Sequence, residues 1–173
     1  MLNKVNGKVL VISGSDPSGG AGLQGDIKTI TALGGFSTNA ITAITNQDTT
    51  DVYDIYDLEA TIVEKQIKTV LKDIGADSIK IGMLSNGEII KSVSNVLSDY
   101  SKKIPIVLDP VMSSQTGVSL IKNDFIDLLL KKIIPQSFLV TPNLPEAEIL
   151  LGRKIRTIDD MLVSINSLRS LGS

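Results

Sequence analysis

The stretch from Val9 to Asp26 reads Val-Leu-Val-Ile-Ser-Gly-Ser-Asp-Pro-Ser-Gly-Gly-Ala-Gly-Leu-Gln-Gly-Asp, and the rest of the chain is organised around it. Its first residues are apolar and mostly β-branched, which is the composition of a buried strand. A proline and several glycines then break this pattern. After them, apolar residues recur at helical spacing, at Leu23, Ile27, Ile30 and Leu33. The sequence therefore predicts a strand, a glycine-rich turn and a helix.

The glycine-rich turn has two interpretations. Such a turn exposes backbone N–H groups at a helix N-terminus, where an anion or a polar ligand can bind. Two carboxylates, Asp16 and Asp26, flank that space and favour a ligand with a hydroxyl, an amine or a metal over a bare phosphate. No Lys follows the glycines, which argues against a P-loop. The alternative is a tight turn that needs glycine only for its backbone conformation, and the local pattern leaves both interpretations open.

The composition bounds the class of protein and its chemistry. The chain has 173 residues, of which 42% are hydrophobic and 21% charged, as in a single soluble globular domain. A net charge of −2 gives no electrostatic case for nucleic acid, and no apolar run is long enough to cross a membrane. We see no signal peptide before the first strand and expect a cytoplasmic protein. Because Cys and His are both absent from the sequence, thiolate nucleophiles and imidazole bases are excluded.

The remaining pattern alternates strands with helices. Four further strands are predicted at residues 36–45, 78–82, 104–108 and 137–141. Helices are predicted at residues 23–33, 62–74, 89–100, 123–134 and 144–151, and after an N-cap at Thr157. This order predicts an α/β fold in which helices cover both faces of a mostly parallel sheet. Ligands of such sheets bind beyond the carboxyl ends of the strands.

Polar or unusual residues follow every predicted strand at this same edge. They are Asp16, Asp26, Asn46, Gln47, Asp48, Gly82, Met83, Asp109, Thr141, Asn143 and Glu146. Their convergence on one edge indicates a small-molecule site.

Most of these residues also have a structural interpretation. Asn143 and Glu146 fit a helix capping box. The Asp109-Pro110 pair fits a turn, and Met83 fits ordinary core. Gln47 fits a loop cap. Asp26 lies early in a helix, where a carboxylate interacts favourably with the helix dipole and needs no ligand.

Five segments of the chain resemble the hydroxymethylpyrimidine and phosphomethylpyrimidine kinases of thiamine biosynthesis, which belong to the ribokinase-like superfamily. They are Gly14-Ser-Asp-Pro-Ser-Gly-Gly-Ala-Gly-Leu-Gln-Gly-Asp26, Thr42-Ala-Ile-Thr-Asn-Gln47, Lys80-Ile-Gly-Met83, Leu108-Asp-Pro-Val-Met112 and Thr141-Pro-Asn-Leu-Pro-Glu-Ala147. They occur in order and cover nearly the whole chain. The resemblance implies a ribokinase-like, three-layer α/β/α fold in which residues 1–173 belong to a single domain.

The resemblance also implies a substrate and the residues that bind it. The activity would be ATP-dependent phosphorylation of 4-amino-5-hydroxymethyl-2-methylpyrimidine and then of its monophosphate. Gln47 resembles the residue that hydrogen-bonds the pyrimidine, since an amide can donate to a ring nitrogen while accepting from an amino group. The further pocket residues would be Gly14, Asp26, Met83 and Val111.

Three residues resemble the part of these kinases that positions Mg²⁺ and phosphate. They are Asp109, Asn143 and Glu146, with Asp109 and Glu146 as the metal ligands. Mg²⁺ prefers a few carboxylates together with phosphate oxygens and water. We therefore expect ATP and Mg²⁺ as cofactors, a small-molecule pyrimidine as the partner, and a homo-oligomer, most simply a dimer. We expect no nucleic-acid and no membrane partner.

The sequence departs from the family at its end. Family members continue past Ser173 with a Lys-Gly-Gly-His segment and a Gly-Thr-Gly-Cys turn that supplies the anion hole. We therefore predict a domain that lacks its C-terminal part and contains no catalytic residue of its own. The loop from Ser113 to Gly117 also lacks the Lys-Ser-Gly common in the family. Two alternatives stay open, a related vitamin kinase for pyridoxal and a non-catalytic pyrimidine-binding fragment.

Overall fold

The computed structural model describes residues 5–112 and 123–172. Its strands are β1 (Lys8–Ser15), β2 (Phe36–Gln47), β3 (Val52–Asp57), β4 (Ser78–Ile81), β5 (Ile106–Leu108) and β6 (Leu139–Val140). Its α-helices are α1 (Gly22–Ala32), α2 (Ala60–Asp73), α3 (Gly87–Leu97), α4 (Asn123–Leu128), α5 (Leu144–Leu151) and α6 (Ile158–Arg169).

The strands form one mostly parallel sheet in the order β3-β2-β1-β4-β5-β6. β1 pairs in parallel with β2 and β4, and β5 pairs in parallel with β4 and β6. The antiparallel pair joins β2 and β3. This confirms the predicted α/β fold with helices packed on a central sheet.

The edge strand β3 was not predicted. Residues 46–51 looked like a polar loop leading into a helix, but β2 extends to Gln47 and a short turn leads into β3. Most side chains of β3 are exposed, so burial does not mark this strand in the sequence. Its main-chain pairing with β2 holds it in place instead.

The main core lies on the face of the sheet that carries α2 and α3. Fully buried side chains of β1 and β4, such as Ile12 and Ile81, pack with Ile67 of α2 and Ile89 of α3. Side chains alternate along a strand, so Lys80, between the buried Ile79 and Ile81, faces the opposite side, where α1 lies. Helices therefore cover both faces, as the alternation of strands and helices predicts.

The close contact between β1 and α1 requires glycine. Gly22 begins α1 at a φ of 54°, and a Cβ atom there would lie 2.5 Å from the Gly14 carbonyl oxygen. An alanine at this position would thus meet both a steric clash and an unfavourable backbone conformation. The turn therefore brings the start of α1 directly over the end of β1.

Several predicted boundaries differ in detail. β4, β5 and β6 are shorter than predicted, although each lies within its predicted range. The helix predicted at 123–134 is α-helical only to Leu128, and a π-helical turn (Leu129–Ile133) and a 3-10 turn (Ile134–Gln136) follow. Residues 113–117 of the predicted loop lie outside the described residues. Within the described ranges, the helices are too short or too polar to cross a lipid bilayer.

Candidate ligand-binding cleft

A cleft of about 720 Å³ lies at the carboxyl edge of the sheet. This volume suits a small molecule. Six of the eight residues predicted for the site line it: Gly14, Asp26, Gln47, Met83, Asp109 and Val111. Asn143 and Glu146, the other two, are not among the lining residues.

In the glycine-rich turn, the side chain of Asp16 accepts hydrogen bonds from the turn itself. Asp16 is buried, and its side chain accepts hydrogen bonds of 2.8 Å from the Ser18 N–H, the Ser18 hydroxyl and the Ala21 N–H. Burial raises the pKa of Asp16, but these hydrogen bonds outweigh it and hold that pKa below its usual value. The N–H groups of Ser18 and Ala21 are therefore already bonded to an anion within the chain.

Gly14 and Met83 form a tightly packed part of the cleft wall. A Cβ atom on Gly14 would lie 3.3 Å from the Met83 sulfur. The Met83 N–H donates to the Ser13 hydroxyl at 3.2 Å, and its carbonyl accepts a 2.7 Å bond from Thr42. Met83 is only 7% exposed, so it is both a core residue and a lining residue.

Gln47 is the last residue of β2, next to the turn into β3, and is half-buried. Its side-chain oxygen accepts a 3.2 Å bond from the Thr45 hydroxyl. The adjoining Asp48 accepts bonds from the Thr50 hydroxyl (2.6 Å), the Thr50 N–H (2.7 Å) and the Tyr53 hydroxyl (2.9 Å). These bonds, led by that of the Thr50 hydroxyl, hold the pKa of Asp48 well below its usual value. The turn that carries Gln47 is thus internally fixed.

Asp26 and Asp109 are joined by a residue that the sequence analysis did not single out. The Lys80 Nζ atom lies 2.8 Å from the Asp26 carboxylate and 3.4 Å from that of Asp109. Lys80 also lines the cleft. The available signal was a charged residue inside an otherwise apolar predicted strand.

Asp109 and Val111 belong to a turn that follows β5. The Asp109 N–H donates to the Ile81 carbonyl at 2.8 Å, and the Val111 N–H donates to the Asp109 carbonyl at 2.8 Å. Asp109 therefore takes part in a turn, which agrees with the structural interpretation of the Asp109-Pro110 pair. Its side chain is 39% exposed and lines the cleft.

Asn143 and Glu146 form the capping box that the sequence allows. The Asn143 side chain accepts from the Glu146 N–H, and the Glu146 carboxylate accepts from the Asn143 N–H, both at 2.9 Å. Glu146 is only 4% exposed. Burial raises the pKa of Glu146 and the negative charge of Asp109 raises it further, although the Asn143 N–H opposes both effects.

The donor chemistry of Asp109 and Glu146 fits Mg²⁺. Each carboxylate raises the energy of the other, and a cation between them would relieve that repulsion. Among the described residues, no group of three or more acidic, Cys or His side chains is placed to hold a metal ion. A Mg²⁺ ion here would need further oxygens from a phosphate or from water.

Comparison with known proteins identifies the family. A family model described as phosphomethylpyrimidine kinase matches residues 16–173. The hydroxymethylpyrimidine/phosphomethylpyrimidine kinase of Bacillus subtilis is 39% identical over 166 residues, which cover 96% of this chain and 61% of that protein. The corresponding Escherichia coli protein is 40% identical, with 99% and 64% covered.

Solved structures agree in fold. The phosphomethylpyrimidine kinase of Clostridium difficile has a TM-score of 0.89 and 43% identity, covering 98% of this chain and 72% of that one. The pyridoxal kinase of Staphylococcus aureus, solved with AMP-PCP and pyridoxal, has a TM-score of 0.83 and 37% identity, with 96% and 59% covered. The chain thus spans about three fifths of the length of the two curated relatives described above. Because the family model matches nearly its whole length, the chain belongs to the phosphomethylpyrimidine kinase family.

Proposed function

We propose that the protein phosphorylates 4-amino-5-hydroxymethyl-2-methylpyrimidine, and then its monophosphate, with ATP as the phosphoryl donor. The observation that carries this proposal is the single cleft in which Gly14, Asp26, Gln47, Met83 and Val111 meet. These are the five residues that the resemblance assigns to the pyrimidine. The names of the relatives at about 40% identity support the same substrate.

The chemistry of the cleft suits a polar heterocycle. Gln47 offers both a donor and an acceptor, which match a ring nitrogen and its neighbouring amino group. Met83 and Val111 provide apolar surface for the ring and its methyl group. Asp26, which is paired with Lys80, adds an acceptor for a hydroxyl or an amine of the ligand.

Asp109 and Glu146 would hold Mg²⁺, with Asn143 fixing the position of Glu146 through the capping box. The bound ion would neutralise charge on the phosphates of ATP. Asp109 lines the cleft, whereas Glu146 is not among the lining residues but is close enough to Asp109 for their charges to interact. ATP is the expected nucleotide, because the pyridoxal kinase of similar fold has been solved with ADP and with AMP-PCP.

Residues 1–173 would form one kinase domain, and its anion-hole turn would lie outside them. The sequence contains no Cys, so a Gly-Thr-Gly-Cys turn is not among these residues. The protein would work in the cytoplasm, where ATP is supplied. A single cooperative unfolding transition, seen equally by fluorescence and circular dichroism, would support one domain.

The substrate is tested first at Gln47. Gln47→Leu should weaken binding of hydroxymethylpyrimidine by about 1–3 kcal/mol, or roughly 5–150-fold, because a polar group of the ligand loses its partner. Isothermal calorimetry measures the affinity, and mass spectrometry of the ATP-dependent product identifies the reaction.

Gln66→Leu is a matched control. Gln66 lies on α2 and bonds the backbone of Ile41 in the same strand, β2, but it does not line the cleft. Equal affinity of the wild type and a folded Gln47→Leu variant would contradict the role of Gln47. Tighter binding of pyridoxal than of hydroxymethylpyrimidine would favour the pyridoxal kinase alternative. Binding without any phosphorylated product, in the protein at its natural length, would favour a non-catalytic binder.

A further inference from the structure

Lys80 is a cation in a central strand of the sheet, and the two residues adjacent to it along that strand are apolar. It lies on β4 between Ile79 and Ile81, which are both fully buried, and its own side chain is only 22% exposed. β4 lies between β1 and β5, so Lys80 points to the cleft from the middle of the sheet.

The two carboxylates next to Lys80 come from different parts of the fold. Asp26 lies on α1, 54 positions before Lys80, and Asp109 lies beyond β5. Their oxygens are 2.8 Å and 3.4 Å from the same nitrogen. Lys80 therefore bridges Asp26, which the proposed function assigns to the pyrimidine, and Asp109, which it assigns to Mg²⁺ and phosphate.

Two other carboxylates of the cleft have hydrogen-bond donors of their own. Asp16 and Asp48 are bonded to N–H and hydroxyl groups of their own turns. The second cleft lysine, Lys28, is exposed and donates to the Gly19 carbonyl at 2.8 Å. For Asp26 and Asp109, Lys80 is the cation that the described residues provide within ion-pair distance of both carboxylates.

Stability alone does not explain a charged cluster of Lys80, Asp26 and Asp109 at this place in the fold. Partly buried ion pairs lose much of their attraction to desolvation, and well-packed apolar residues often replace them without loss of stability. Burial alternates along β4, and Lys80 occupies a half-buried position whose side chain lines the cleft. The charge at this position therefore points to a role in the cleft.

We propose that Lys80 is a positioning residue, which holds Asp26 and Asp109 in a fixed relation so that the pyrimidine and the phosphate groups meet correctly. This proposal rests on the proposed function. Phosphoryl transfer depends mainly on positioning and charge neutralisation, so a displaced carboxylate lowers the rate more than it lowers substrate affinity. Without Lys80, Asp26 and Asp109 would face each other as two uncompensated negative charges.

The test compares Lys80→Met with Lys80→Arg in the protein at its natural length. Lys80→Met should lower kcat by about 10–100-fold and change the KM for the pyrimidine much less. Lys80→Arg keeps the charge and should recover most of the lost kcat. The matched control is Lys68→Met, which removes the Lys68–Glu64 ion pair on the surface of α2 and should leave kcat unchanged.

A second variant separates positioning from folding. In Lys80→Met combined with Asp26→Asn, one of the two uncompensated charges is gone, so thermal stability should recover, while kcat should stay below that of Asp26→Asn alone. A Lys80→Met enzyme with the kcat of the wild type would overturn the proposal. The proposal would also be overturned if adding Asp26→Asn to Lys80→Met restored kcat together with thermal stability. It would be overturned as well if Lys80→Arg had a kcat as low as that of Lys80→Met. A wild-type protein that is inactive towards the pyrimidine would instead overturn the proposed function. The role proposed for Lys80 would then fail for that reason.

Discussion

Glu146 has a structural role that is visible in the structure and a metal role that is proposed. It completes a capping box at the start of α5 and is almost fully buried. Burial and the charge of Asp109 raise its pKa, so the folded protein destabilises the ionised form of this side chain. A capping role does not require that charge, because a neutral amide oxygen can accept the same hydrogen bond. Charge is therefore the property that separates the two roles.

Glu146→Gln should keep the fold and lose metal-dependent binding. The amide can still accept from the Asn143 N–H, and it avoids burying a charge, so we expect unchanged or slightly higher thermal stability. Affinity for ATP in the presence of Mg²⁺ should fall by about 1.5–3 kcal/mol, or roughly 10–150-fold, because a charged contact is lost. Calorimetry with and without Mg²⁺, on the protein at its natural length, measures the change.

Glu148→Gln controls for removal of an acid from the same helix. Glu148 is paired with Lys154 at 2.7 Å and does not line the cleft, so its substitution should leave nucleotide binding unaltered. If Glu146→Gln is folded and binds Mg²⁺-ATP like the wild type, Glu146 acts only as a cap.

At the scale of elements, the turn between β1 and α1 is stabilised by a buried carboxylate. Asp16 accepts hydrogen bonds from the N–H groups of Ser18 and Ala21 in the same turn and has a lowered pKa. A carboxyl group with a lowered pKa in the folded state stabilises the fold above its unfolded-state pKa, which is about 3.9. That contribution disappears as the pH falls through the folded-state pKa.

Asp16→Asn should therefore destabilise the protein in a pH-dependent way. The amide cannot replace all of the charged hydrogen bonds, and we expect a loss of about 1–3 kcal/mol at pH 7. The difference from the wild type should be constant above about pH 5 and shrink below about pH 4. Urea unfolding at a series of pH values measures it.

Asp77→Asn provides the comparison. Asp77 accepts a 2.7 Å bond from the Lys8 N–H at the other end of β1, so its substitution affects a single backbone donor. It should cost less than Asp16→Asn. A difference between wild type and Asp16→Asn that is the same at pH 7 and pH 3.5 would show that the charge of Asp16 does not stabilise the turn.

At the scale of the whole molecule, the β2–β3 hairpin presents an apolar patch. Ile44 and Tyr56 are directly paired across the two strands, and they are 52% and 73% exposed. β3 is also an edge strand of the sheet. Exposed edges that carry apolar side chains favour association with another chain. If the homo-oligomer expected from the sequence forms, we expect a second copy of this protein to cover this patch.

The double variant Ile44→Lys with Tyr56→Lys should shift the protein towards monomer. Loss of two apolar contacts and the addition of repelling charges should raise the dissociation constant by at least about tenfold. Sedimentation velocity over a range of concentrations measures the distribution. Leu33→Lys, which alters another strongly exposed apolar residue at the end of α1, serves as the control. A distribution that the double variant leaves unchanged, or a wild type that is monomeric throughout, would contradict this interface.

Much of the fold could be predicted from sequence because its signals are local. The apolar run before Gly14, the helical spacing after Gly22 and the alternation of strands with helices are all properties of neighbouring residues. β3 was missed because an exposed edge strand is held by main-chain pairing and has no buried run of its own. The prediction of a helix at residues 123–134 was only partly correct, because its last residues form a π-helical turn and a 3-10 turn.

The sequence by itself determined the parallel sheet and the edge at which the candidate residues collect, because the carboxyl ends of parallel strands must lie together. The five co-linear motifs also identified the family. Only the tertiary structure decided that Lys80 joins Asp26 to Asp109, and that Glu146 is not among the residues that line the cleft. Those relations depend on the register between strands and on the position of α1 over the sheet. They are distances between residues far apart in the chain, and no local pattern encodes them.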